Sequence, residues 1–148
     1  MKFAGLCLLA ILFAPISVQA EMIEPISMTT EFGAAGTTAQ VYVKVVFLKR
    51  NSGTPITGLT TTNIRPFLMT EKTLNPSSYA WTTTPYNMSY TLVPSTDPYK
   101  PGLYTLILKP IGGKVWGPST SIYTVRALVK GTSPADYGTI EIVLASGG

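Results

Sequence analysis

A period of two runs through most of this chain and leaves room for little but a β architecture. In residues 40–49, Val41, Val43, Val45 and Phe47 alternate with Tyr42, Lys44, Val46 and Leu48. Side chains at i, i+2 and i+4 share one face of a strand. The pattern returns in 103–109, where Tyr104, Leu106 and Leu108 oppose Leu103, Thr105 and Ile107. In 121–130 it sets Tyr123, Val125, Ala127 and Val129 against Ile122, Thr124, Arg126 and Leu128, and 139–145 turns Ile140, Ile142 and Leu144 inward. Shorter candidates cover 22–30, 62–70, 78–83 and 87–93, with Pro66 pushing its strand toward a sheet edge or a bulge. The chain's 13 Gly and 12 Pro fall mostly between these runs, as turn residues should. No segment keeps a 3.6-residue stripe free of Pro, Gly or β-branched clusters, so no helix is expected. Seven to eight strands without helices predict an all-β, two-sheet antiparallel sandwich, with a closed barrel as the rival.

The first twenty residues do not belong to that pattern. Met1-Lys2 is a short positive start, residues 3–14 are almost unbroken apolar, and Val18 and Ala20 stand at −3 and −1 of a cut after Ala20. That is the layout of a cleaved signal peptide. Its apolar run is shorter than the roughly 20 residues a membrane-crossing helix needs. The expected division is therefore a leader over 1–20, an N-terminal strand or arm with a Gly-rich hinge over 21–38, and the sandwich over 39–148. Gly33-Ala34-Ala35-Gly36-Thr37-Thr38 either separates an arm from the sandwich or turns the first strand into the second. The protein is expected to be secreted or periplasmic, with no transmembrane segment in the mature chain.

Composition then narrows the chemistry. The chain has no His, and its single Cys, Cys7, lies within the leader. Zinc sites and Ser-His-Asp or Cys-His catalysis have no residues to draw on. The acids beyond the leader (Glu21, Glu24, Glu31, Glu71, Asp97, Asp136 and Glu141) form no calcium-loop pattern. No S-x-x-K pair and no Gly-rich phosphate loop is present. The expectation is a chain that is not an enzyme and needs no cofactor or metal. Its formal charge of +4 is spread thinly, with Lys49 and Arg50 the only adjacent cations, so no nucleic-acid partner is expected.

Two short motifs carry a resemblance. Gly53-Thr54-Pro55-Ile56-Thr57-Gly58-Leu59 follows a strand, and Pro101-Gly102-Leu103-Tyr104-Thr105-Leu106 opens another. Both resemble turn and strand-opening motifs of bacterial immunoglobulin-like domains, and with Trp116-Gly117 the likeness extends over residues 40–144. The resemblance implies an immunoglobulin-like sandwich, here without the inter-sheet Cys pair of antibody domains. It implies no activity.

The remaining signal is aromatic. Tyr79, Trp81, Tyr86, Tyr90 and Tyr99 cluster in residues 78–100, where Asp97 and Lys100 are the only charges. Exposed, they would form a binding surface, because Tyr and Trp combine large contact area with a polar handle. Buried, they would be packing residues, with Trp81 or Trp116 plugging the core between the sheets. The expected function is a non-catalytic binding or adhesion module acting through loops and strand edges on a protein, envelope or cell-surface partner. One alternative is a fibre or pilus-like subunit that self-associates by strand pairing through residues 21–30. Another is a carbohydrate-binding module that stacks polysaccharide on these rings.

Overall fold

The computed structural model describes residues 23–30, 33–118, 121–132 and 136–147. The expected leader over 1–20, together with Glu21, Met22 and Glu31, lies outside the described residues. Nine strands form among the described residues: β1 (Ile23–Thr30), β2 (Gly33–Ala34), β3 (Val41–Lys49), β4 (Ile64–Asn75), β5 (Ala80–Pro85), β6 (Met88–Pro94), β7 (Leu103–Pro110), β8 (Ser121–Lys130) and β9 (Tyr137–Gly147). A single 3₁₀ turn, Thr61–Asn63, precedes β4, and no described helix is long and apolar enough to cross a membrane.

The strands make two sheets, ordered β1-β3-β7-β6 and β2-β9-β8-β4-β5. All pairings are antiparallel except the two-residue contact of β2 with Ser146–Gly147 of β9. The sheets do not close on each other, so the fold is a sandwich and not a barrel. Eight strands of six residues or more match the expected count, and β2 is the extra one. The chain changes sheet at residues 30–41: β1 pairs with β3, β2 joins the opposite sheet, and β3 returns.

Alternation translates directly into the core. The inward faces of β3, β7, β8 and β9 are fully buried, from Val41 to Phe47, Tyr104 to Leu108, Tyr123 to Val129 and Ile140 to Leu144. Each such side chain contributes about 1.5–3 kcal/mol on leaving water. The described residues contain no cysteine, so this packing must hold the sheets together without a covalent staple. Pro66 falls at a register shift between Pro66 and Leu68, where β4 bulges against β8, as its missing N–H requires.

The two motifs behind the family resemblance meet in space. Phe47 N–H donates to the Gly102 carbonyl, and Ile56 N–H donates to that of Phe47. The Tyr104 hydroxyl, fully buried, donates to Ile56 O at 3.0 Å and accepts from Leu59 N–H at 3.1 Å. Gly102 sits at φ +77°, and a Cβ there would stand 2.9 Å from the Pro55 side chain. Each motif is thus the other's packing surface. Tyr104→Phe should cost about 1–2 kcal/mol, because it strands a buried N–H and a buried carbonyl while leaving the ring in place. Urea unfolding at unchanged m-value measures it, and a loss below a few tenths would dismiss the hydroxyl's role.

Candidate functional site

The five aromatics singled out above do not form one surface. Tyr86 is 2% exposed and belongs to the core, which corrects its assignment as a contact residue. It lies where the chain crosses from β5 to β6, so its ring points between the sheets. There it packs on Trp116 (centroids 6.1 Å, nearly parallel) and Tyr123 (4.7 Å), and its hydroxyl donates to Val115 O at 2.6 Å. Tyr90, on β6, is half-buried against the same core. Of the two tryptophans it is Trp116 that fills the space between the sheets, 1% exposed, with its indole N–H donating to Ala39 O at 2.8 Å.

Tyr79, Trp81 and Tyr99 do face solvent, at 83%, 45% and 91% exposure, but at opposite ends of the sandwich. Tyr99 rides the β6–β7 turn, where its N–H donates to Asp97 Oδ1 and Lys100 pairs with the same carboxylate. That turn shares an end with the 3₁₀ turn, since Thr61 Oγ1 accepts from Leu92 N–H. Tyr79 and Trp81 sit on the β4–β5 hairpin at the other end, beside the start of β8, where Thr73 opposes Ser121. The hairpin is the candidate site, because it carries two of the three exposed aromatics.

Its geometry follows from its register. Lys72 opposes Thr83, so Trp81 is the diagonal neighbour of Lys72 on the outer face. The ammonium lies 5.0 Å from the Trp81 ring centroid, a cation–π contact that holds the indole against the sheet. Tyr79 is the one described non-glycine residue with positive φ (+52°), and its ring is 83% exposed. Thr73, Leu74, Asn75, Pro76 and Thr82 meet Pro118 around an open depression of about 660 Å³. All of β5 is exposed, because no strand of the other sheet covers it.

Beside the hairpin lies a buried polar cluster. Tyr123 Oη donates to Glu71 Oε1 at 2.9 Å and accepts from Gly117 N–H, while Ser121 Oγ bonds Thr73 Oγ1 at 3.1 Å. Burial, reinforced by the neighbouring Tyr123 and Glu71, pushes the Tyr86 phenol well above the ordinary tyrosine range. Burial also raises that of Tyr123, with Glu71 adding to it and the Gly117 hydrogen bond opposing. Both phenols hold their proton more tightly folded than unfolded. Their contribution to stability is therefore complete below about pH 10, where free tyrosine titrates, and is lost as pH rises through the folded values. Denaturant midpoints should fall between pH 9 and 11, and Tyr86→Phe with Tyr123→Phe should flatten that slope. An unchanged slope in the double variant would contradict the assignment.

Three other described acids stand apart, each with its own cation: Asp136 with Lys49 (3.3 Å), Asp97 with Lys100 (3.4 Å) and Glu141 with Arg126. Sequence reading missed Phe67, 63% exposed, whose position at the β4 bulge no alternation signals. It also missed the Lys72–Trp81 pair, which a hairpin centred on residues 76–79 would have revealed. No family model matches this chain, and no curated protein or solved structure matches it significantly.

Proposed function

We propose that the chain is an exported immunoglobulin-like interaction module without a catalytic centre, and that it engages a protein or surface component through the β4–β5 hairpin. The strand order supports the finer fold reading. Strands β1, β3, β7 and β6 take the places of A, B, E and D, and β9, β8, β4 and β5 those of G, F, C and C′. Tyr123, near the start of the F-equivalent strand, bonds back to the backbone of Gly117 as the tyrosine of such domains does at that corner. Val125, two residues on and buried, stands where antibody domains place a cysteine. The leader-like residues 1–20 support export.

One observation carries the functional reading. Tyr79 and Trp81 are both exposed on one hairpin, whose outer strand is exposed along its length and uncharged. Rigid aromatic anchors beside an apolar depression are what an interface core needs. The pairing of β1 with β3 within one chain favours this reading over strand exchange through residues 21–30. Lys72, resting on the indole, favours a protein contact over a sugar stacked on Trp81.

Binding of the fluorescently labelled chain to intact cells and envelope fractions of its source tests the proposal. Tyr79→Ala with Trp81→Ala should reduce binding at least tenfold, while Tyr99→Ala, at the far end, should leave it unchanged. Equal binding by all variants would refute the hairpin as the contact. A polysaccharide titration that shifts Trp emission in the wild type but not in Trp81→Ala would transfer the assignment to carbohydrate.

A further inference from the structure

Sheet edges expose unpaired backbone groups, and a folded protein guards them with prolines, charges, bulges or covering segments. Here the edges are guarded unequally. β1 carries Glu24, Pro25 and a register shift between Ser27 and Thr29. β6 ends at Pro94, and Thr61 caps its Leu92 N–H. β9 carries Glu141, is covered at its end by β2, and is approached at Gly138 by Ile23. The half of β4 beyond the reach of β5 holds Pro66 and the bulge. β5 has none of these along Ala80–Thr84: its register with β4 is unbroken, no described residue covers it, and its proline comes last.

We propose that two copies of the chain pair through β5, antiparallel about a two-fold axis at Thr82, fusing their β2-β9-β8-β4-β5 sheets into one. The pairing rests on the reading of the hairpin as a contact surface and names its occupant. Charge selects that occupant. The chain carries +4, so copies repel over most approaches, but residues 73–96 contain no charged side chain. The Lys72 backbones would stand three strand spacings apart, about 14 Å, while each ammonium is held over the Trp81 ring of its own chain. A strand meeting its own copy about a two-fold is self-complementary by construction.

The backbone sets the register. Tyr86 N–H donates to Met69 O, and these residues are opposite in the continued β4–β5 alignment. The even-numbered residues of β5 therefore point their N–H and C=O toward β4, leaving those of Trp81 and Thr83 aimed outward. Pairing Trp81 with Thr83 of the second copy satisfies all four groups on each side and asks nothing of Pro85. Thr82 then faces Thr82 of the second copy at a non-hydrogen-bonded position, about 4.5 Å between Cα atoms. Six residues of edge bury less than the roughly 1,200 Å² of a standard interface, so the dimer is weak and concentration-dependent.

The test uses the full chain with Cys7→Ser. Under mild oxidation Thr82→Cys should give a disulfide-linked dimer, since that Cα separation suits the bond. Thr84→Cys should not, because the two copies of residue 84 would lie about 13 Å apart along the strands. Sedimentation of the cysteine-free chain from about 10 µM to 1 mM should show association that Thr82→Lys, an exposed substitution, abolishes while the β-sheet dichroism is unchanged. Absence of the Thr82→Cys dimer, preferential cross-linking at residue 84, or a monomer throughout the range would each overturn the pairing. A monomer that still binds cells through Trp81 would end self-pairing and leave the interaction reading standing.

Discussion

Trp116→Ala should be the most damaging truncation in this protein, lowering stability by about 3–5 kcal/mol. The indole sits where three parts of the chain meet. It lies edge-on to Tyr123 of β8 (4.9 Å, 78°) and nearly parallel to Tyr86 at the β5–β6 crossing. Its N–H holds Ala39 O, while its backbone N–H reaches Thr37 O and its carbonyl accepts from Gly36 N–H. Removing the ring therefore opens a cavity between the sheets and frees the segment that leads into β3. In a chain of 148 residues such a loss corresponds to a melting temperature about 10 °C lower. Trp116→Phe keeps an aromatic plug and should recover more than half of the loss. Thermal and urea unfolding of both variants measure this; equal losses would mean that the indole N–H, and not the ring, carries the effect.

Strands differ in how plainly the sequence announces them. β3, β7, β8 and β9 were legible because each fills one whole face with core residues, so burial is written at every second position. β4 was not. Expected over 62–70, it runs Ile64–Asn75, since its far half lies beyond the core and is held by β5 instead of by packing. β5 itself was placed at 78–83 and lies at Ala80–Pro85, because Ser78 and Tyr79 belong to the turn, where Tyr79 takes positive φ. β2 had no local signal at all: two residues pair with the far end of the chain.

The candidate site was read less well, and for a related reason. A charge-free aromatic stretch is the signature both of an interface and of a core crossing, and residues 78–100 contain both. Tyr86 and Tyr90 turn inward because the chain changes sheet between them and β5. Tyr99 is carried to the far end by the length of β6. Only Tyr79 and Trp81 stay together outside, and their neighbour Lys72 comes from across the hairpin. Trp116, between strands, has no period to betray it. Contacts made by loops depend on where whole sheets lie, which alternation does not encode.

Gly138→Ala should be nearly as costly, about 2–4 kcal/mol, and its manner of failure is informative. A Cβ at Gly138 would overlap the Ile23 carbonyl oxygen and come within 2.9 Å of the Ile23 side chain. Backbone cannot yield as a flexible side-chain tip can, so β1 or β9 must move. β9 is fixed along its length by β8, and its Ile140, Ile142 and Leu144 are core residues. β1 pairs by backbone hydrogen bonds with one strand, β3, and is already interrupted at Ser27–Thr29. The strain therefore falls on β1, which should detach and withdraw Ile23 from the core, a burial worth about 2–3 kcal/mol. Limited proteolysis should then cut within residues 23–40 while the remaining sheets stay resistant. Exposure of β1 would also bare the edge of β3, raising the variant's tendency to associate by strand exchange above that of the wild type. A Gly138→Ala chain that unfolds as a unit, with no early cut near β1, would show instead that β1 is an inseparable part of the sandwich.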